Sequence, residues 1–533
     1  MKGGGTVADV TSAERGAEEG AGERLMAGAA LGVPAWAIVS LVLLPLLSGG
    51  APQWDADAMR ARLPQLTLWV LAGGAAGLLA HAAALLAPRI SAGARVPAPA
   101  AAPKRRVVIL GGGFAGLQTA ATLEHLLRGD PSVSITLVSE TNALLFTPML
   151  AEVAGSSLEA SHISTPLRTS LGSAEFVRAR VASIDVEGRR VLLASDAADA
   201  AKGMPVRELP FDHLVLALGS VSNYFGQRNV EEAAFDFKSL LDAIRIRNHV
   251  IEMFERADRE SDAASRRALL TFVVAGGGFA GVELAGALND FCRGILADYP
   301  GLPPEELSVV LVHSRDRILP ELSESLGRYA RESMEARGVT FRLKTRLVDA
   351  RPGVVVLSDG ELPAETLVWT AGVAPSPLLA TLPFARDKRG AVVVESTMAV
   401  PGQAGIWAVG DAAALMDGRT GKPCPPTAQF AIREGAHLAR NIQAALSGKA
   451  ASPFHFESLG ALCVVGHQTA CAELAVPFFP GRSVRFSGLL AWLMWRGIYL
   501  SKLPGLERKV RVLVDWTIEL FFPRDIVQTI ELS

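Results

Sequence analysis

Cysteine is scarce in this chain: four residues in 533, Cys292, Cys424, Cys463 and Cys471, with none in the first 291 positions and no C-x-x-C anywhere. So few thiols, so widely spaced, exclude a disulfide-stapled module, a zinc ribbon and a thioredoxin-type couple, and no metal site is read. An excess of either charge is also missing. The 52 basic and 54 acidic residues leave a net charge of -2, which offers no electrostatic footprint for nucleic acid. Charged residues make up only 20% against 50% hydrophobic, and a mean hydropathy of +0.29 implies that part of the chain meets lipid. The length predicts about three to four domains at ~150 residues each.

Residues 1–24 carry five acids and three bases among Gly, Ala, Ser and Thr, too little apolar surface to offset ordering entropy, and read as a disordered tail. Two uncharged stretches follow, 23 residues from Leu25 to Leu47 and 22 from Leu66 to Ala87. Each approaches the ~20 residues that cross a hydrocarbon core as helix, so 25–88 reads as a transmembrane helical hairpin. A cleaved signal peptide is the alternative for the first, against which the acidic start argues. The arginines and lysine around the spans place both ends in the cytoplasm by the positive-inside bias, and the Pro- and Ala-rich segment 89–103 reads as a linker. Within the spans only His81 is titratable, so no proton-pumping relay is visible. At the other end, 488–522 alternates apolar residues and tryptophans with Arg496, Lys502, Lys509 and Arg511. Such stretches fit helices lying in the headgroup boundary; a pair of core or dimer helices is the alternative.

The chemistry is announced twice. The apolar run Arg106 to Leu110 leads into Gly111-Gly112-Gly113-Phe114-Ala115-Gly116 and an apolar helix, the strand, G-x-G-x-x-G and helix order that lets a backbone approach a pyrophosphate at a helix N-terminus. The next strand ends at Glu140, where a carboxylate takes ribose hydroxyls. The same grammar recurs at Gly276-Gly277-Gly278-Phe279-Ala280-Gly281, so two dinucleotides are expected. Its following strand ends at His313, with Arg315 behind; an acid there would favour NAD and an arginine would accommodate a 2′-phosphate, which leaves NADH against NADPH open. Two further strands end in Ala217-Leu218-Gly219 and Gly410-Asp411.

In this order the motifs resemble the two-dinucleotide flavoprotein disulfide reductase fold over roughly 104–450. The redox cysteine pair of the disulfide reductases is absent, as is the one sulfide:quinone oxidoreductases carry before the second glycine turn. Over most of 104–522 the chain is similar to the type II, single-subunit NADH:quinone oxidoreductases, on Leu145-Phe146-Thr147-Pro148-Met149-Leu150, Gly281-Val282-Glu283-Leu284-Ala285, Trp369-Thr370-Ala371-Gly372-Val373 and Pro425-Pro426-Thr427-Ala428-Gln429-Phe430-Ala431. The resemblance implies an α/β fold with two Rossmann-like domains: an FAD domain in two parts, 104–226 and 365–450, an NAD(P)H domain inserted at 227–364, and a membrane-associating region at 451–533. It implies FAD contacts at Gly111, Gly113, Phe114, Ala115, Gly116, Glu140, Pro148, Val181, Ala217, Gly219, Gly410, Asp411 and Ala428. Nicotinamide nucleotide contacts are implied at Gly276, Gly278, Phe279, Ala280, Gly281, His313 and Gly372.

Glu283 matches a family glutamate near the flavin that would relay charge or a proton, and Gln429 a contact to the quinone head group. Their alternatives are a first-turn acid favoured by the helix dipole and a solvent-facing amide after a Thr427 cap. Two departures stand out: Arg433 replaces a frequent second amide, and no lysine lies near Leu459-Gly460. The implied activity is hydride transfer from NADH to FAD and two-electron reduction of a membrane quinone, without proton pumping. The implied place is a bacterial cytoplasmic membrane with the catalytic domains facing the cytoplasm, and a homodimer is the family expectation. Competing readings are a reductase of a soluble electron carrier and a nucleotide-responsive, membrane-tethered flavoprotein.

Overall fold

A computed structural model describes residues 28–29, 32, 35–50, 62, 65–66, 68–79, 105–194, 207–476 and 482–528. The expected N-terminal tail and the linker at 89–103 lie outside the described residues. Two parallel sheets organise the body. In the first, the strands run in the order Ile406–Ala408, His213–Leu216, Arg105–Leu110, Val133–Ser139, Glu175–Arg178. Val107 to Leu110 are all buried, as expected of a parallel strand covered on both faces. The helix after the first glycine turn, Phe114–Leu126, covers one face and packs along Ala428–Leu446, whose Gly435 admits the Ala115 carbonyl.

The second sheet runs Val339–Leu343, Ser308–His313, Thr271–Ala275, Thr366–Trp369, again all parallel. This moves a domain boundary. The sequence places the return to the FAD domain at 365, yet Thr366–Trp369 pairs with Thr271–Ala275 in the second sheet; four buried residues are better spent completing a covered sheet edge than starting a linker. The crossing is made by Ser220–Ser222 paired with Val373–Pro375.

An antiparallel meander, Gly460–Gly466, Thr469–Ala475 and Ser483–Ser487, then docks on the helix of the second glycine turn, Phe279–Ile295, and is followed by helices Gly488–Lys502 and Leu506–Glu519. The tryptophans expected at the headgroup boundary face inward instead: Trp492, Trp495 and Trp516 are buried in the same core as Val282, Leu284 and Leu288. The outward surface carries aliphatic and phenyl groups, Val514, Ile518, Leu520 and Phe521 among them.

Among the described residues no helix is long and apolar enough to cross a membrane; the expected spanning hairpin at 25–88 lies partly outside the described residues, and those described in each arm are mostly helical. Pro45 has no N–H to close an α-helical bond, and the residues before it wind as a π-helix, Ala37–Leu43, before the short turn Leu44–Leu47 ends at Gly49, with φ of 81°. The two pieces still meet. A methyl at Gly28 would overlap the Gly73 carbonyl and one at Gly32 the Trp69 carbonyl, and Arg62 donates to the Ser40 carbonyl at 2.7 Å. Trp36 and Leu41, fully buried, rest on Leu490 at the start of Gly488–Lys502.

Candidate functional site

Both glycine turns have the geometry an anionic diphosphate requires. Gly111 and Gly276 adopt φ of 111° and 129°, conformations that only glycine reaches without strain. Methyl groups at Gly116 and Gly281 would overlap the carbonyls of Gly111 and Gly276, whereas at Gly113 and Gly278 a Cβ would meet nothing within 4 Å. Neither helix has a side-chain cap at its N-terminus, so the first-turn N–H groups of Phe114, Ala115, Phe279 and Ala280 face outward for a bound anion.

Around the first turn, Glu140 sits exposed just past the strand Val133–Ser139. The Ala217 amide donates to the Leu110 carbonyl at 2.9 Å, which brings the left-handed Gly219 to the same sheet end. Asp411 Oδ2 accepts from Ser220 Oγ at 2.6 Å, and Lys238 Nζ donates to that hydroxyl at 2.9 Å. Beneath them, buried Glu434 accepts from the Gly410 amide at 2.8 Å and fixes the Gly410-Asp411 turn. Ala115 packs against the same turn, Pro148 opens the 3-10 turn Thr147–Met149, Ala428 begins its helix, and Val181 starts the strand Val181–Asp185. These residues fit an FAD: an outward-facing glycine cradle, a carboxylate at the strand end and a held aspartate beyond it.

The second turn differs in one respect. The Gly277 amide donates to His313 Nδ1 at 3.1 Å, so the strand-end residue that would contact ribose is spent on the turn itself. Burial pushes its pKa down, which keeps the ring neutral, with the remaining proton on Nε2. Gly372 packs under Phe225 and accepts from the Asn223 amide at 3.0 Å, far along the chain but at the edge of this sheet.

Glu283 and Gln429 are brought onto one strand. The Val464 amide donates to Glu283 Oε1 at 3.3 Å, while Gln429 Nε2 donates to the Gly460 carbonyl at 3.2 Å and its Oε1 accepts from the Leu459 amide at 2.8 Å. Four residues of strand at about 3.3 Å each put the two attachment points about 13 Å apart. Thr427 does cap its helix, accepting from the Phe430 amide, yet Gln429 is a clamp on Gly460–Gly466 and not a free surface amide. Burial raises Glu283 to a pKa of about 8. An aromatic wall, Phe114 to Phe146 at 6.0 Å and Phe146 to Tyr499 at 6.1 Å between ring centres, joins the first glycine turn to the C-terminal helix.

With that geometry in view, the relatives are informative. Residues 105–435 match the pyridine nucleotide-disulphide oxidoreductase model and 459–525 the NDH2 C-terminal domain model. The type II NADH:quinone oxidoreductase Ndh of Mycobacterium tuberculosis is 32% identical over 444 residues, 80% of this chain and 90% of that protein.

The chain belongs to the type II NADH:quinone oxidoreductase family.

A probable NADH dehydrogenase of Dictyostelium discoideum is likewise 32% identical over 428 residues, 79% of this chain and 90% of that protein. NDH2 from Plasmodium falciparum, solved in complex with NADH, shares the fold with a TM-score of 0.71 at 17% identity, covering 80% of this chain and 100% of that one. The sulfide:quinone oxidoreductase of Aquifex aeolicus shares it at 0.59 and 18%, covering 78% and 95%.

Several residues of this family member escape a reading by motif. Glu434 is the most legible in retrospect, since it breaks the apolar stripe Phe430, Ala431, Leu438 of its helix. Ser220 and Lys238 have no such signal. Nor do Glu152, Arg496, Glu519 and Arg524, which meet only in the folded protein, with Arg496 Nη2 at 2.7 Å from Glu519 Oε2 and Arg524 Nη2 at 3.1 Å from Glu519 Oε1.

Proposed function

We propose that this protein carries a hydride from NADH to FAD and passes two electrons to a membrane quinone, without pumping protons. The single observation that carries the reading is the strand Gly460–Gly466, which belongs to the matched NDH2 C-terminal domain and ties Gln429 and Glu283 together behind the two glycine turns. FAD, once bound, supplies the hydride acceptance and the two-electron delivery. The protein's own part is placement. Gly111, Gly113 and Gly116 with the Phe114–Leu126 helix hold one diphosphate, and Gly276, Gly278 and Gly281 with Phe279–Ile295 hold the other. Glu434 and Ser220 keep Asp411 oriented; Gln429 offers its amide where the C-terminal strand begins; Glu283, protonated near neutral pH, holds a proton close by. The aromatic wall of Phe114, Phe146 and Tyr499 keeps water from this interior.

The outward aliphatic surface of Leu506–Glu519 and the paired N-terminal helices resting on Leu490 would seat the body on a membrane, with 25–88 as a spanning hairpin whose glycines let the two helices approach closely. The expected place is a bacterial cytoplasmic membrane, catalytic domains toward the cytoplasm, and Val181 and Gly372 are assigned to nucleotide contacts on the same reading. The test is anaerobic stopped-flow on the purified protein. Rapid bleaching of the flavin by NADH and rapid reoxidation by a short-chain quinone are expected; bleaching with no reoxidation would turn the reading to a reductase of another carrier.

A further inference from the structure

The pairing of the two parallel sheets lets the two glycine turns be matched residue by residue. In the first, Leu110 pairs with Val138, and the Gly111 amide donates to the Val138 carbonyl at 2.8 Å. In the second, Ala275 pairs with Val312, and the Gly276 amide donates to the Val312 carbonyl at 2.9 Å. Val138 therefore answers to Val312, Ser139 to His313, and Glu140 to Ser314. Packing gives the same match, since a methyl at Gly112 would meet Ser139 and one at Gly277 would meet His313. His313 is thus the counterpart of a residue that supports the turn, and the place that holds a carboxylate in the first half holds a hydroxyl in the second. A carboxylate there bonds the ribose 2′-hydroxyl and repels a phosphate carried on it. Ser314 does neither by charge.

Cations stand beside that serine. The segment 313–319 wraps the turn from both sides, with His313 Nδ1 accepting from the Gly277 amide at 3.1 Å and the Leu319 amide donating to the Gly277 carbonyl at 2.8 Å, so Arg315 is carried next to the cradle. Lys344 reaches the same place from the neighbouring strand: its amide donates to the Arg315 carbonyl at 2.9 Å, and the Thr345 amide donates to the His313 carbonyl at 3.1 Å. Ser314, Arg315 and Lys344 are all exposed, and among the described residues neither cation has a side-chain hydrogen bond or an ion pair. Of the nearby charges, Arg317 is spent on the carbonyls of Pro320 and Leu322 at 2.9 and 3.2 Å, Arg342 lies 3.5 Å from Asp359, and Asp316 is an exposed carboxylate.

We infer that the second site binds NADPH as well as NADH, with the 2′-phosphate held by Arg315 and Lys344 beside Ser314. The inference rests on the assignment of the second turn to the nicotinamide nucleotide and extends it to the phosphorylated form. A guanidinium offers paired N–H donors to phosphate oxygens and an ammonium a mobile point charge. The Ser314 hydroxyl suits either nucleotide, because it can bond a ribose hydroxyl or a phosphate oxygen. The 2′-phosphate sits at the adenosine end of the dinucleotide, away from the nicotinamide, so the hydride chemistry is the same for both.

The test is calorimetric titration of the flavin-loaded protein, its first turn already filled, with 5′-AMP and 2′,5′-ADP, which differ only in the 2′-phosphate. The wild type should bind 2′,5′-ADP about tenfold more tightly at low salt, and the advantage should shrink as added salt screens the exposed charges. Arg315→Ala and Lys344→Ala should each lose part of that advantage and the double variant all of it, with 5′-AMP binding unchanged as the sign that the site is intact. Ser314→Glu, which copies the arrangement at Glu140, should reverse the order, tightening 5′-AMP and weakening 2′,5′-ADP. Equal affinities in the wild type, an advantage that survives in the double variant, or an unreversed order in Ser314→Glu would overturn the inference. Failure to bind either fragment would overturn it together with the assignment of the second turn. No quinone enters these titrations, so a protein with the expected preferences and no quinone reduction would sink the proposed function and leave the 2′-phosphate site standing.

Discussion

The two halves of this protein begin with the same six residues, Gly-Gly-Gly-Phe-Ala-Gly, and do different things with them. In the first half the residue two beyond the turn is Gln118, whose amide bonds Thr122 at 3.0 Å along its own helix; in the second, the register-equivalent residue is Glu283, which reaches the C-terminal strand. The first helix leans on Ala428–Leu446 through Gly435, and the second on Gly460–Gly466 through Gly286. The strand-end residues diverge as well, Glu140 exposed and His313 bound to the turn. The shared turn prescribes a backbone cradle for a diphosphate. Which dinucleotide it takes, and what chemistry lies beside it, comes from residues outside the motif.

The largest way to separate the halves is to block each helix contact. Gly435→Val would drive its Cβ to within 2.5 Å of the Ala115 carbonyl, and Gly286→Val to within 2.9 Å of the Val465 backbone. Each overpacking should cost about 1–3 kcal/mol. The first variant should lose flavin on gel filtration; the second should keep its flavin and its bleaching by NADH, and lose reoxidation by quinone.

That division was only partly legible in the chain. Glycine spacing and apolar runs disclosed both turns and the strands next to them, because those signals are local, whereas Glu175–Arg178 and Val339–Leu343 went unread. The boundary at Trp369 was not legible either, since an apolar strand of four residues fits either sheet until its partner is known. The direction of Trp495 and Trp516 was hidden for a related reason: an amphipathic pattern says that one face is apolar without saying what covers it. Glu152 and Glu519 lie hundreds of positions apart in sequence, and no spacing rule joins them.

A smaller effect is expected from pH. Glu283 is held near 8 in the native protein and ionises near 4.5 when unfolded, so the unfolded state gives up its proton first. Stability should fall as pH rises from about 4.5 through about 8. Glu283→Gln should flatten that decline in thermal melts recorded across this range, whereas Gln118→Glu, on the other half, should leave the slope near neutral pH unchanged.

The smallest predicted effect concerns the strand ends. His313 is neutral, and exposed Arg315 and Lys344 stand close by together with the acid Asp316, so the strand end offers a 2′-phosphate two cations against one carboxylate. Replacing the histidine by an acid, His313→Glu, should weaken binding of 2′,5′-ADP by about tenfold, or about 1.4 kcal/mol, and leave 5′-AMP nearly unaffected in calorimetric titration. Equal losses for the two ligands would mean that His313 serves the turn alone.

The most direct test of the central claim, that identical turns hold different nucleotides, is the visible spectrum of Gly116→Val and Gly281→Val before and after NADH. Each substitution collides with the carbonyl of its own turn's first glycine. The account predicts that Gly116→Val is colourless, and that Gly281→Val is yellow, bleached by dithionite and untouched by NADH. A Gly281→Val protein that loses its flavin, or a Gly116→Val protein that keeps it, would contradict the assignment of the two sites.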